Sequence, residues 1–322
     1  MRKILVTGGA GYIGDAVVAN LKTLHRPVVL DNLMYGGSYM RKVPFIRADI
    51  TDYTKMEKIM KRHGGFDAVV HLAAIVGDGA CAVNPGRTVE VNQKATEVIA
   101  DLCKKTRTRL IFASTCSVYG ANNELLDENS PTNPLSLYAA TKLEAEKYIE
   151  DVLDDYVIFR LGTLFGMSAE HARIRSDLVA NILTYRAALG ETLTVFGGEQ
   201  WRPLLHVRDA ANQFVKAVGY PTWQDIEPGI YILAAENYTI LELAKTIIKT
   251  VGKGTIETTS MKFEDLRNYR VSTKKIKESG QSTMIGLAAG IQEMAKTIMD
   301  GRIADIWSPE FHNAKYIGAM NG

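Results

Sequence analysis

Six short apolar runs, set apart by stretches with helical spacing, constrain this chain more than any single motif. They are KILVT (3–7), PVVLD (27–31), FIRAD (45–49), AVVHLAA (68–74), RLIFAST (109–115) and YVIFRLG (156–162). Runs that are apolar at nearly every position read as strands buried on both faces, the condition of a parallel sheet between two layers of helices. The intervening segments agree. Val91, Ala95, Val98, Ile99 and Leu102 recur three and four residues apart over 91–102, and 137–153 is rich in Ala, Leu, Glu and Lys. The expected class is α/β, a doubly wound parallel sheet.

The pattern loosens after Gly166. A helix is expected over 174–189, then a turn-rich stretch, TVFGGEQWRP (194–203), and a helix over 208–218. A strand YILAA (231–235), a helix over 239–251 and a last helix over 286–299 follow, while the tail 307–322 shows no periodicity and predicts no element. The division is a sheet domain, 1–166, and a smaller lobe, 167–322, interleaved with the last strands of the sheet.

Bulk properties set the outer bounds. A chain of 322 residues can bury a large core in one or two domains. Its formal charge of +2 supplies no field for nucleic acid or an anionic membrane, and neither partner is expected. No apolar run reaches the roughly 18–20 residues of a membrane span, and the start MRKILVTGG predicts no signal peptide. Cys81, Cys103 and Cys116 are far apart and form no CxxC pair, so neither a disulfide framework nor a metal site is expected, and a cytoplasmic location is.

The first run leads into TGGAGYIG (7–14) and a helical segment, AVVANLKTL. Gly8, Gly11 and Gly14 fit the dinucleotide-binding spacing: one for the tight turn, one for close approach of backbone to a diphosphate, one for helix–strand packing. Tyr12 and Ile13 begin the helix, whose N-terminal N–H groups favour phosphate. Asp31 ends the second run seventeen positions after Gly14, where a carboxylate receives ribose hydroxyls and repels an added phosphate. Asn32 and Leu33 follow it with no arginine, so NAD is expected over NADP. Asp49 and Ile50 are placed to meet the adenine edge, or else to start the next helix. Leu72, Ala73 and Ala74 offer small side chains and backbone to a cofactor, or simply end a buried strand.

In YAATK (138–142), Tyr138 and Lys142 share one face of a helix. A nearby ammonium favours the phenolate, so Tyr138 could remove a proton from a hydroxyl as hydride leaves the carbon, with Lys142 also on the nicotinamide ribose. The pair YxxxK is common on amphipathic helices. It gains meaning from its place behind the fifth run, in a chain with the glycine cradle.

TGGAGYIG, Asp31, HLAA, STCSVYG (114–120), YAATK and RLGTLFG, in that order, resemble the extended short-chain dehydrogenase/reductase family. The likeness is to its nucleotide-sugar epimerase/dehydratase branch, of the UDP-galactose 4-epimerase type. WRPLLHVRD (201–209) and RNYRVSTKKI (267–276) extend it through the second lobe. The resemblance implies a Rossmann-type domain with a smaller substrate-binding lobe, NAD as cofactor, a nucleotide-diphosphate sugar as substrate, and a homodimer built on helices near 91–105 and 138–152. It also implies that Thr115 hydrogen-bonds the reacting sugar oxygen beside Tyr138. Dehydratases of the branch carry Asp–Glu at the next two positions, as acid and base for elimination. This chain has Cys116, read as packing, and Ser117, read as a substrate contact. Redox at carbon 4 without elimination is therefore expected: Tyr138 takes the C4 hydroxyl proton, hydride passes to NAD, and the 4-keto sugar turns over and is reduced on its other face. A dehydrogenase or reductase of a nucleotide-linked sugar or heptose is the alternative. A non-catalytic NAD-binding regulator is a third, against which the Thr115–Tyr138–Lys142 set counts. Thr163 stands where many relatives have an asparagine that holds the diphosphate. Arg202 and Arg270 are then the expected diphosphate ligands, by their place in the motifs and by the geometry of the guanidinium fork. Arg173, Arg175 and Arg208 are not expected in the site. His71 and His206 are expected to be structural, and nothing in the sequence pairs His171.

Overall fold

The structure, a computed structural model, describes residues 1–36, 42–62, 65–219, 226–260, 267–280, 284–303 and 305–321. Along the chain the first seven strands are β1 (Lys3–Thr7), β2 (Arg26–Asp31), β3 (Phe45–Arg47), β4 (Ala68–His71), β5 (Arg109–Thr115), β6 (Ala121–Leu126) and β7 (Tyr156–Leu161). Then come β8 (Thr163–Phe165), β9 (Thr192–Phe196), β10 (Trp201–His206), β11 (Gly229–Leu233), β12 (Glu236–Thr239), β13 (Thr255–Thr259) and β14 (Asn268–Val271). The first six helices are α1 (Tyr12–Leu24), α2 (Tyr53–Arg62), α3 (Asp78–Val83), α4 (Pro85–Val89), α5 (Ala95–Thr106) and α6 (Leu137–Val152). They are followed by α7 (Val179–Ala188), α8 (Val207–Ala217), α9 (Ile240–Val251), α10 (Lys274–Glu278), α11 (Leu287–Met299) and α12 (Asn313–Asn321).

Seven strands form one parallel sheet in the order β11-β7-β5-β4-β1-β2-β3. Strand order reverses between β1 and β4, so the loops after their carboxyl ends part and leave a crevice there. The period of two along a strand sends alternate side chains to opposite faces. On β1, Ile4 and Val6 meet Val17, Val18 and Leu21 of α1 and Phe214 of α8, while Leu5 joins Met60 of α2, Ile99 of α5 and Ile149 of α6. The second half contributes β11 to the edge of this sheet and builds a separate apolar cluster of α7, α9 and α11 around Leu193 and Val195 of β9. Helix α9 starts on a full capping box, with the Thr239 hydroxyl accepting from the Glu242 N–H and the Glu242 carboxylate accepting from the Thr239 N–H.

Several elements differ from the sequence expectation. The helix expected from residue 174 begins only at Val179. The stretch before it is irregular, with a turn at 176–177, and is tied down by side-chain bonds that periodicity does not report. The turn-rich stretch 194–203 consists of the end of β9, a short turn and the start of β10. The tail 307–322 contains a single 3-10 turn, Pro309–Phe311, and α12, with Gly322 outside the described residues. Ile317 of α12 is buried in the apolar cluster that also holds Ala80 and Cys81 of α3, against which α12 packs. Strands β6 and β13 were not foreseen, because both are polar and largely exposed. All three cysteines are free and buried, and among the described residues no cluster could hold a metal ion. Among the described residues no helix is long and apolar enough to cross a membrane.

Candidate active site

The crevice at the reversal point is a cavity of about 400 Å³. It is lined by Gly8, Gly11, Tyr12, Ile13, Gly14, Asp31, Asn32, Asp49, Ile50, Leu72, Ala73 and Ala74, so the residues expected around a dinucleotide, Tyr138 and Lys142 apart, come together here. The glycines fit such a ligand. Gly8 has φ +70°, and a Cβ there would lie 2.7 Å from the Ala73 nitrogen. A Cβ on Gly14 would lie 2.1 Å from the Gly8 carbonyl oxygen. Bare backbone is thus what lets turn, helix and β4 close into a cradle. Gly11 caps α1 without any side-chain bond, which leaves the first-turn N–H groups free of a side-chain cap.

Asp31 stands at the end of β2. Its carboxylate accepts the Ala10 N–H at 3.1 Å and the Leu33 N–H at 2.8 Å. Burial pushes its pKa above the ordinary value against those two bonds. Asp49 is tied to Asn32 (2.8 Å) and to Arg87 (2.6 Å) and accepts from both the N–H and the hydroxyl of Thr51. Burial would raise its pKa, but these bonds outweigh it and hold the carboxyl below the usual range. Arg87 had no signal in the sequence beyond its charge.

The catalytic candidates meet at the end of β5. Tyr138 sits in the first turn of α6, behind the N-cap Ser136, and its phenol is close enough to the Thr115 hydroxyl to be influenced by it. Burial pushes the phenol above its ordinary value, with the charges of Cys81 and Asp78 adding to the rise and the Arg175 charge and the Thr115 hydroxyl opposing it. Lys142 lies one turn further along α6, donates to the Ala113 carbonyl at 2.9 Å, and stands 4.6 Å from the centroid of the Phe112 ring. Burial brings its pKa down to about 8, so it remains largely an ammonium at neutral pH. Behind this group Asn92, in a single π-helical turn (Glu90–Lys94), bonds the N–H and carbonyl of Ile75.

STCSVYG is ordered by a buried ion pair that the sequence did not disclose. Glu146 of α6 takes both Nε and Nη2 of Arg160, the closest contact being 2.7 Å. Ser114 donates to Glu146, and Arg160 donates to the Tyr119 hydroxyl at 2.9 Å. Burial would lower the Arg160 pKa, but Glu146 more than compensates and keeps it charged. Within this frame the Thr115 hydroxyl accepts the Ser117 N–H at 3.1 Å. The Cys116 thiol is fully buried, bonded to the Arg160 carbonyl at 3.2 Å, and raised by burial. Ser117 is buried as well, with its hydroxyl 3.3 Å from that of Tyr269.

The arginines are distributed differently from the sequence expectation. Arg202 is buried, and its guanidinium donates to the carbonyls of Trp201 and Arg267. Arg270 lies over the Trp201 ring and donates to the Asn123 carbonyl, beside β6. Arg173 and Arg175, set aside on sequence grounds, line the dinucleotide cavity. Arg267 pairs with Asp78 across the gap between α3 and β14, at 3.4 Å. His71 is buried between Thr7 (2.6 Å) and Thr96 (3.0 Å). The His171 N–H bonds Asp15, and its side chain lines the cavity.

A family model described as the NAD dependent epimerase/dehydratase family matches residues 4–231. The chain belongs to that family. A putative UDP-glucose 4-epimerase from Methanocaldococcus jannaschii is 32% identical over 231 residues, covering 67% of this chain and 73% of the relative. A dTDP-glucose 4,6-dehydratase from Streptomyces niveus is 30% identical over 335 residues, covering 95% of each. The crystal structure of a UDP-glucose 4-epimerase from Thermotoga maritima, with UDP-glucose, superposes with a TM-score of 0.79 at 26% identity, covering 94% of this chain and all of that one. The family is one of NAD-dependent enzymes in the nucleotide-sugar branch of the extended short-chain dehydrogenases/reductases, and the cradle just described fits NAD.

Proposed function

We propose that this protein is a nucleotide-sugar 4-epimerase. One observation carries the reading: Thr115 is the residue of this stretch that acts on the Tyr138 phenol, while the next two side chains are engaged elsewhere. The Cys116 sulfur is spent on a backbone carbonyl and the Ser117 hydroxyl lies against Tyr269. Proton transfer at one carbinol oxygen is provided for, and an acid–base pair for expelling water is not.

Bound NAD supplies the hydride acceptor and donor. Gly8, Gly11 and Gly14 would hold its diphosphate, Asp31 its adenosine ribose, and Lys142 the nicotinamide ribose. The chain itself moves the proton. Tyr138 Oη takes it from the C4 hydroxyl and returns it, and Thr115 Oγ1 orients that hydroxyl. Burial holds the phenol protonated and the Arg175 guanidinium opposes it; the Lys142 ammonium, one turn along α6, would add to the positive field that makes deprotonation accessible. The lobe formed by 167–322 would seat the nucleotide diphosphate, with Arg202 and Arg270 among its ligands, and two protomers would pair through α5 and α6.

Incubation with UDP-glucose and catalytic NAD tests the reading. Conversion to the C4 epimer without net NADH is expected. A 4-keto-6-deoxy product would establish dehydration, and stoichiometric NADH would establish a net oxidase.

A further inference from the structure

The segment between β8 and α7 forms part of the wall of the cofactor cavity, through His171, Ala172, Arg173 and Arg175. It is stitched to the glycine turn: Tyr12 donates to the Gly166 carbonyl, Ser168 donates to the Tyr12 carbonyl, and the His171 N–H bonds Asp15 of α1. Arg175 lies in this strap and is only 8% exposed. One edge of its guanidinium is held by Asp177, with Nε donating to Oδ1 at 2.6 Å and Nη2 to Oδ2 at 3.1 Å. Nη1 has no hydrogen-bond partner among the described residues. Arg175 lines the cavity together with Gly11, Tyr12 and Tyr35, and its charge reaches the phenols of Tyr12 and Tyr35 and that of Tyr138, which is outside the cavity lining.

The support behind Arg175 comes from the C-terminal tail. Asp177 accepts the Asn313 N–H at 2.9 Å, and the Asn313 side chain donates to the Val76 carbonyl, also at 2.9 Å. Arg173 donates to Asn313 and to the Glu310 carbonyl and stacks 4.1 Å from the Tyr35 centroid. The Asp177 carboxylate at this corner is paired with Arg175 and also feels the charge of Arg173. Burial, and then Arg175, bring the Arg173 pKa down to about 10. Asp177 compensates the Arg175 charge, the Arg175 Nη1 is not among the buried unpartnered polar atoms, and that group remains free to donate to an anion. The first turn of α1, whose Gly11 and Tyr12 line the same cavity, has no side-chain cap.

We propose that Arg175 is a ligand of the dinucleotide's diphosphate, gripping it from the strap while the α1 N-terminus holds the other side, and that Asp177 and Asn313 of the tail position it. The proposal rests on NAD as the cofactor of this family. The sugar nucleotide also carries a diphosphate, but Arg175 shares its cavity with Gly11, Tyr12 and Asp31, which favours the dinucleotide.

Calorimetry on the full chain separates the possibilities, with NAD, ADP-ribose, adenosine and UDP as ligands. Arg175→Met is expected to weaken NAD and ADP-ribose about tenfold or more, the effect of a lost charge-assisted hydrogen bond. Adenosine and UDP should bind as to wild type. Arg175→Lys, which keeps the charge but not the fork, should fall between, and Asn313→Ala should speed NAD release. A twofold or smaller change in NAD affinity for both Arg175 variants would overturn the proposal. So would equal losses for adenosine and ADP-ribose, the mark of a merely structural role, or a loss confined to UDP, which would assign Arg175 to the substrate. Wild-type protein that binds UDP and no NAD would overturn the cofactor assignment itself.

Discussion

Replacing Arg160 with methionine isolates the ion pair behind STCSVYG. The side chain of Glu146 is 1% exposed, and with its partner gone the carboxyl must hold an unpaired buried charge or take a proton. The second course is the cheaper. From an ordinary value of 4.5, protonation at pH 7 costs about 3 kcal/mol, at roughly 1.4 kcal/mol per unit. The lost bond to the Tyr119 hydroxyl adds about 1 kcal/mol. The total, about 4 kcal/mol, agrees with what breaking a buried pair costs elsewhere. The sign with pH follows. In the variant the folded pKa of Glu146 lies far above its unfolded value, so the neutral form's contribution is complete below 4.5 and is lost as pH rises. The penalty should therefore shrink to about 2 kcal/mol at pH 5.5. Urea unfolding of both proteins at the two pH values measures it, and Arg160→Met/Glu146→Gln should abolish the pH dependence. A penalty that does not vary with pH, or one below about 1 kcal/mol at pH 7, would refute the argument. Because Ser114 and Tyr119 grip this pair on either side of Thr115, turnover should fall along with stability.

Tyr138→Phe should lower kcat by roughly 10²–10⁴ with NAD affinity retained, Thr115→Val should cost less, and Cys116→Ala should leave kcat near wild type; steady-state kinetics on a UDP-sugar distinguish the three. Comparable damage from Cys116→Ala would make the thiol part of the chemistry. Calorimetry should show a preference for NAD over NADP that Asp31→Ala narrows, since the carboxylate stands where an added phosphate would lie. Burial holds His71 at about 3, well below its ordinary 6.5. The stability that depends on its neutral form is complete above pH 6.5 and is lost as pH falls toward 3, by about 2 kcal/mol at pH 5. His71→Gln should flatten that slope in urea unfolding at pH 7 and pH 5.

What the sequence alone determined is local in origin. Strand and helix periods, the glycine spacing, and the step from Tyr138 to Lys142 are properties of neighbouring residues, so the parallel sheet, the crevice and the face shared by the two side chains could be read without coordinates. The family followed from the order of those motifs. What only the tertiary structure decided depends on residues far apart in the chain. Arg160 and Glu146 look like ordinary charges on a strand and a helix until folding puts them out of water together. The direction of the Cys116 thiol is set by the Arg160 carbonyl, and Ser117 is engaged by Tyr269, more than 150 positions away. Arg175 read as part of a helix from 174 and not as a ligand, whereas the strap around it is neither helix nor strand and is held by side-chain bonds to α1 and to a tail near the end of the chain. Irregular backbone takes its conformation from such distant partners, and a pattern read along the sequence carries no record of them.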